Sequence, residues 1–342
     1  MRYGNFRLIA RWAGAVLLAA SAATATAGQV GAPAEVLDWV QRMNKVLVEG
    51  NFDGVFERRS GEKTQQWRIV HRFKDGEMME RVVAMDGSGY EQRRKGDQHA
   101  EYRPQLRAVF TSTRTRSFGY IPTLNGLDEE AARHYSISDG GRSRLLGRDV
   151  QIIRIDPRDD LRFGYRYWLD AGSAMPLKLQ RVTRDGAVVK EIAFTFINAP
   201  LLPTDIPDEQ LRVGVDISKF KRVDNDKRMP FYDPRLKRAL TPQVSLMPAG
   251  YRIWRFGGQA AAVRSPQQPR GAGPRSRFIV SDGVTWAEVF LAPATADMKE
   301  GGGAIDGAYS GYLAVVDGVF VNVVGELPVA AAEAIARAFR PE

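Results

Sequence analysis

Trp67-Arg68-Ile69-Val70-His71-Arg72-Phe73 is the stretch that decides the fold. A period of two puts Trp67, Ile69, His71 and Phe73 on one face and Arg68, Val70 and Arg72 on the other. That is the pattern of a strand with one side buried. Asp75-Gly76 follows at once, a dipeptide that tolerates the positive φ of a tight hairpin turn. The same grammar repeats along the chain. Asp-Gly recurs at Asp53, Asp86, Asp139, Asp185, Asp282, Asp306 and Asp317, and Asn125-Gly126 adds another turn. Alternating runs such as Phe163-Gly164-Tyr165-Arg166-Tyr167-Trp168-Leu169 and Ile192-Ala193-Phe194-Thr195-Phe196 lie between them. Antiparallel sheet is the main element expected.

Helices are few. Glu35 to Val48 sets Val36, Val40, Met43 and Leu47 on one stripe, after Pro33 and before Gly50. Leu127 to Arg133 suits a short helix, and the Ala-rich Pro328 to Phe339 suits a last one. A long meander with one amphipathic helix must be covered on one face or curl. The expected class is mainly β (α+β), with a large, unclosed antiparallel barrel at the N-terminal side.

The chain has 342 residues, a net charge of +9, no cysteine and three histidines. Residues 1–27 read as a secretory signal peptide. Arg2, Arg7 and Arg11 make the positive region, Trp12 to Ala23 the apolar core, and Ala25-Thr26-Ala27 the small-x-small cleavage site. The apolar core is too short for a committed membrane span, and no cysteine follows it to carry a lipid. A soluble periplasmic protein, cut near Ala27, is expected. Without cysteine there are no disulfides, thiolate nucleophiles, zinc fingers or iron–sulfur clusters.

A boundary is expected near residue 200, where Ala199 to Pro207 holds three prolines. The composition then shifts. Residues 211–238 hold nine basic residues against four acids, and no acid occurs between Asp233 and Asp282. The domains expected are a half-barrel over 28–205, a basic linker over 206–242 and a small domain over 243–342. The small domain offers strands at Arg252 to Phe256, Arg277 to Val280, Val284 to Leu291, Tyr312 to Val316 and Val319 to Val324. Gln267 to Gly273 and Lys299 to Gly303 read as loops.

Catalytic signals are poor. Asp86-Gly87-Ser88-Gly89 is not the Gly-x-Ser-x-Gly of a nucleophile elbow. Gly301-Gly302-Gly303 lacks the Gly-Lys-Ser/Thr of a phosphate loop. His71, His99 and His134 have no metal-ligand spacing. No enzyme, metal site or cofactor is expected, and nucleic acid is not an expected partner. Two features carry binding chemistry instead. Phe52, Phe56, Trp67, Tyr165, Tyr167, Phe194 and Phe196 supply an aromatic face, either plain core or the lining of a groove for an acyl chain or apolar peptide. Arg222, Arg228, Arg235 and Arg238 suit phosphates or acidic side chains, or serve only to keep a linker soluble.

Several runs together resemble the RseB/MucB family of periplasmic sigma-E regulators. They are Arg144-Leu145-Leu146-Gly147-Arg148-Asp149, Ile152 to Asp159, Arg162 to Asp170, Pro176-Leu177-Lys178-Leu179 and Asp185 to Phe196. Phe52 to Phe56, Arg68 to Arg72 and Glu80 to Gly87 fit as well. So do Leu246 to Tyr251, Ser281-Asp282-Gly283 and Val323 to Pro328. The resemblance implies a large domain similar to the LolA/LolB lipoprotein carriers. It also implies a small antiparallel sheet with one helix that binds the anti-sigma factor. Such a protein holds the periplasmic segment of an RseA/MucA-like transmembrane anti-sigma factor, shields it from site-1 proteolysis and lets go when lipopolysaccharide or another lipid binds. A periplasmic lipid or lipoprotein carrier is the alternative, and self-association is left open.

Overall fold

The computed structural model describes residues 34–113, 121–124, 126–224, 241–256 and 276–340. The chain opens with α1 (Ala34–Glu49), which buries Val36, Val40 and Met43 as its apolar spacing requires. A long antiparallel meander follows: β1 (Phe52–Ser60), β2 (Lys63–Lys74), β3 (Glu77–Ala84), β4 (Glu91–Lys95), β5 (Gln98–Arg103) and β6 (Ala108–Thr113). The short α2 (Glu129–Arg133) leads to β7 (Tyr135–Leu145), β8 (Arg148–Pro157), β9 (Gly164–Asp170), β10 (Pro176–Val182) and β11 (Val188–Asn198). With β12 (Lys221–Asp224) these form one twelve-stranded sheet in the order β12-β6-β5-β4-β3-β2-β1-β11-β10-β9-β8-β7. The first and last strands of that order do not pair, so the sheet is unclosed.

Asp75-Gly76 and Asp317-Gly318 are the turns expected of them, with φ of 52° and 78° in the first and 48° and 76° in the second. Asp53-Gly54 is not a turn. It lies inside β1, where a Cβ on Gly54 would come 2.7 Å from the Phe194 ring. Here the missing side chain makes room for packing, a use the dipeptide alone does not distinguish. Asp139-Gly140 likewise sits within β7, at a register shift opposite β8.

The alternation on β2 holds for Trp67, Ile69 and His71, all buried. Val70 is buried too, although it lies on the opposite face, because Ile206 and Leu211 pack over it. Leu211 belongs to α3 (Asp208–Leu211), and Arg72 Nη1 donates to the Ile206 carbonyl at 2.8 Å. The start of the expected 206–242 linker therefore covers the back of the large sheet. It continues into β12, which pairs in parallel with β6, Lys221 opposite Ala108. Apolar residues at 206, 211 and 223 bury themselves there, and the basic composition masks that pattern.

The smaller sheet has the order β14-β15-β16-β19-β18-β17. Its strands are β14 (Arg252–Phe256), β15 (Ser276–Ser281), β16 (Trp286–Pro293), β17 (Gly301–Asp306), β18 (Tyr309–Val316) and β19 (Val319–Gly325). Lys299 to Gly303, read above as a loop, instead enters β17, which among the described residues pairs with β18 alone. Helix α4 (Val329–Arg337) buries Ala331, Ala332, Ile335 and Ala336 against this sheet. Two short strands, β13 (Thr241–Pro242) and β20 (Phe339–Arg340), pair beside it. The expected loop Gln267 to Gly273 and the leader 1–27 lie outside the described residues.

Candidate functional site

Helix α1 lies on the aromatic face of the large sheet. Phe52, Phe56, Trp67, Tyr165, Tyr167 and Phe194 join Val36, Val40 and Met43 in one core. Phe56 meets Phe194 edge-on with centroids 5.8 Å apart, and Tyr165 stacks on Tyr167 at 5.7 Å. None of these six rings is more than 5 % exposed. Phe196 is different. The β1–β11 register slips between Val55 and Phe56, so Val55 faces Phe196 while Phe56 faces Phe194. The bulge turns Phe196 out, and it is 56 % exposed. Period-two reading puts Phe194 and Phe196 on one face, and one extra residue separates them.

The covered face changes character across the sheet. Directly paired residues of antiparallel strands share a face. Ile69 faces Val82, Val82 faces Gln92, and Gln92 faces Glu101. The aromatic floor under α1 thus passes, over β4 and β5, into a polar wing of Gln92, Arg94, His99, Glu101 and Arg103. Arg103 Nη2 donates to Glu101 at 2.7 Å, and its guanidinium lies 5.1 Å over Phe110. Arg222 is exposed on β12, the next strand but one from that wing. Arg228, Arg235 and Arg238 lie outside the described residues. Among the described residues no group of three or more His, Asp or Glu could hold a metal ion.

A heavily bonded polar cluster lies between the two sheets. Arg162, from the turn before β9, is wholly buried. Its Nε donates to Asp282 Oδ2 at 3.0 Å, its Nη1 to Asp159 at 2.6 Å and its Nη2 to the Ala249 carbonyl at 2.5 Å. The Tyr135 hydroxyl donates to the same Asp282 oxygen at 2.7 Å. The other Asp282 oxygen accepts from the Val284 and Thr285 amides. Tyr251 completes the cluster by donating to the Leu161 carbonyl at 2.9 Å. Burial first, and then Asp282, hold the Tyr135 hydroxyl well above its usual range.

A second contact repeats the scheme. Arg181 of β10 pairs with Glu326 at 2.8 Å, and Lys190 of β11 reaches the other Glu326 oxygen at 2.6 Å. Arg181 also bonds the Tyr165 hydroxyl. Burial alone would raise the Glu326 carboxyl, but Arg181 and Lys190 bring it down to about 2. The large sheet thus supplies cations and the small domain supplies carboxylates. Arg252–Asp128, at 2.8 Å, runs the other way at the periphery.

None of these seam residues stood out as chemistry in the sequence. Arg162 before Phe163-Gly164, Asp282 in Ser281-Asp282-Gly283 and Glu326 before Leu327-Pro328 stand inside the runs that carry the family resemblance, whereas Tyr135 and Arg181 lie outside those runs. Patterns that match no catalytic or metal motif here mark where two domains meet.

Comparison with known proteins agrees with this architecture. The family model for the MucB/RseB N-terminal domain matches residues 35–213, and that for the MucB/RseB C-terminal domain matches residues 239–340. The chain belongs to the MucB/RseB family. Sigma factor AlgU regulatory protein MucB of Pseudomonas aeruginosa is 26% identical over 318 residues, covering 90% of this chain and 92% of its own. Sigma-E factor regulatory protein RseB of Salmonella typhimurium is 24% identical over 303 residues, covering 87% and 88%. A crystal structure of MucB in complex with MucA(peri) superposes with a TM-score of 0.66 at 23% identity, over 90% of this chain and 99% of that one. The Pseudomonas aeruginosa MucA/MucB complex gives 0.67 at 24%, with the same coverage. At such identity the superposition establishes the MucB fold. No helix among the described residues is long and apolar enough to cross a membrane.

Proposed function

We propose that this MucB/RseB-family protein is a periplasmic regulator of the envelope stress response, exported by its leader and cut near Ala27. It binds the periplasmic domain of an RseA/MucA-like anti-sigma factor, shields it from site-1 proteolysis, and releases it when lipopolysaccharide or another lipid binds. It acts without catalysis or cofactor. The observation that carries this reading is family membership across both halves of the chain, with relatives named as sigma-factor regulators and one solved together with MucA.

The geometry constrains how a lipid signal works. Phe52, Phe56, Trp67, Tyr165, Tyr167 and Phe194 are buried in one core with the apolar face of α1, so an acyl chain reaches them only if that packing opens. The polar wing beside them suits a headgroup. A ligand releases a partner only by favouring the conformation that binds the partner badly, and displacement of α1 is such a change.

Calorimetric titration of the mature protein with the periplasmic domain of the anti-sigma factor encoded beside it, with and without lipopolysaccharide, tests the reading. Tight binding that weakens with lipopolysaccharide is expected. No binding at sub-millimolar concentration in either condition overturns it in favour of a lipid carrier.

A further inference from the structure

Two like charges stand directly opposite each other where the large sheet meets the small domain. Arg181 of β10 faces Lys190 of β11, and Lys190 in turn faces Ser60 of β1. Such a pair destabilises a sheet, and an anion between the two removes the penalty. Arg58 lies two residues before Ser60, on the same face of β1. Three cations of the large domain therefore come together here. The anion between them is Glu326, which the small domain inserts from just past the end of β19. Arg181 Nη1 lies 2.8 Å from one carboxylate oxygen and Lys190 Nζ 2.6 Å from the other. Arg181 Nη1 also donates to the Glu326 backbone carbonyl at 3.0 Å. Asp306, 4.0 Å from Arg58, is a second small-domain carboxylate at the edge of the cluster.

These carboxylates leave donors over. Arg58 Nη2 donates to Gln65, but Arg58 Nε is buried and has no hydrogen-bond partner among the described residues. Burial raises the Glu326 carboxyl, yet Arg181, Lys190 and then Arg58 draw it down to about 2. A phosphate suits the cluster better than a carboxylate. It carries up to two charges and three acceptor oxygens, and the forked donors of arginine match its geometry. The cluster can also be reached. Arg181 is closed in at 3 % exposure, but the Lys190 and Glu326 side chains each keep 19 %. Behind it lies the aromatic core, since Arg181 bonds the Tyr165 hydroxyl and Tyr165 stacks on Tyr167. An acyl chain attached to a phosphate held here has that core beside it.

We propose that Arg58, Arg181 and Lys190 form a phosphate site that the small domain keeps closed with Glu326, so that the phosphate of an anionic lipid and the small domain compete for the same three cations. This rests on the lipid-release reading above and gives the lipid's charge a place. The polar wing, where Arg103 already pairs with Glu101, suits the neutral part of such a headgroup. A phosphate that takes the cations deprives the small domain of its second contact with the large sheet, while Arg162 and Asp282 keep the first. Lipid binding is thereby coupled to how firmly the two domains hold each other, through its different affinity for the closed and the open arrangement.

Calorimetric titration of the full mature chain with inorganic phosphate, dihexanoyl phosphatidic acid and dihexanoyl phosphatidylcholine tests this. Glu326→Gln removes the competing charge and should bind inorganic phosphate and phosphatidic acid about tenfold more tightly than wild type. Lys190→Gln keeps Glu326 but loses a cation, and should bind phosphatidic acid about tenfold more weakly. Neither change should alter the affinity for phosphatidylcholine, whose phosphate charge the choline cancels. Equal affinity of the three chains for phosphatidic acid overturns the proposal. It leaves lipid release of the anti-sigma segment standing, because the lipopolysaccharide titration reads that separately. Inorganic phosphate binding as tightly as phosphatidic acid overturns the lipid as the source of the anion. Should Glu326→Gln fail to fold, wild type against Lys190→Gln decides alone.

Discussion

Arg162, before β9 of the large sheet, and Asp282, after β15 of the small one, meet where neither side chain touches solvent, the guanidinium Nε donating to the carboxylate at 3.0 Å. Each charge is tolerable there only because of the other and of the Tyr135, Thr285 and Ala249 groups around them. Asp282→Ala strands the arginine, and removing one partner of a buried pair typically costs about 3–5 kcal/mol. Denaturant unfolding of the mature chain should show that loss. The double variant Arg162→Met with Asp282→Leu should cost less than the sum of the two single changes, because the lone charge is then gone.

The same seam depends on two glycines that nearly touch. A Cβ on Gly283 would lie 2.1 Å from the Gly126 carbonyl oxygen, and the Gly283 φ of +94° is itself unfavourable for any side chain. Gly283→Ala should therefore lower the melting temperature clearly. Gly303→Ala is the control, since a Cβ there meets nothing within 4 Å, and it should stay within about 0.5 kcal/mol of wild type. Comparable losses from the two changes would mean that the close approach is absent.

Acid should loosen the second contact of the seam. Glu326 is held down to about 2 against an ordinary 4.5. A depressed carboxyl contributes stability that is present above its unfolded value and lost as pH falls through the folded one. The contribution is of the order of 3 kcal/mol at neutral pH and should fade between about pH 5 and pH 2. Glu326→Gln should lose it at neutral pH and show a flatter stability profile over that range, measured by unfolding at a series of pH values.

How far the sequence carries depends on whether a structural choice is local. The stripe Val36, Val40, Met43 fixes α1, and alternation fixes β2, because burial of one face writes itself into neighbouring residues. Six of the seven aromatic residues collect in one core because each of those rings sits on the inward face of its own strand. The seam is not local. Arg162 and Asp282 are separated by 120 positions, and nothing in either segment alone says that a buried arginine awaits a carboxylate. The role of residues 206–224 is hidden for a related reason. Ile206, Leu211 and Val223 bury themselves on the sheet one at a time, among charged neighbours, and no periodicity results.

Phe194 and Phe196 show where a local rule breaks and how to check it. An unbroken β11 would place both rings under α1, but the register slip between Val55 and Phe56 buries Phe194 to 4 % exposure and turns Phe196 out to 56 %. Phe194→Ala removes a ring that packs edge-on against Phe56, and a core change of that kind costs about 3–5 kcal/mol. Phe196→Ala removes a solvent-facing ring and should fall within about 0.5 kcal/mol. If lipid enters beneath α1, Phe194→Ala should also weaken it while Phe196→Ala leaves it unchanged. Equal stability losses in chemical unfolding would show that the two rings share a face and that β11 runs without the bulge.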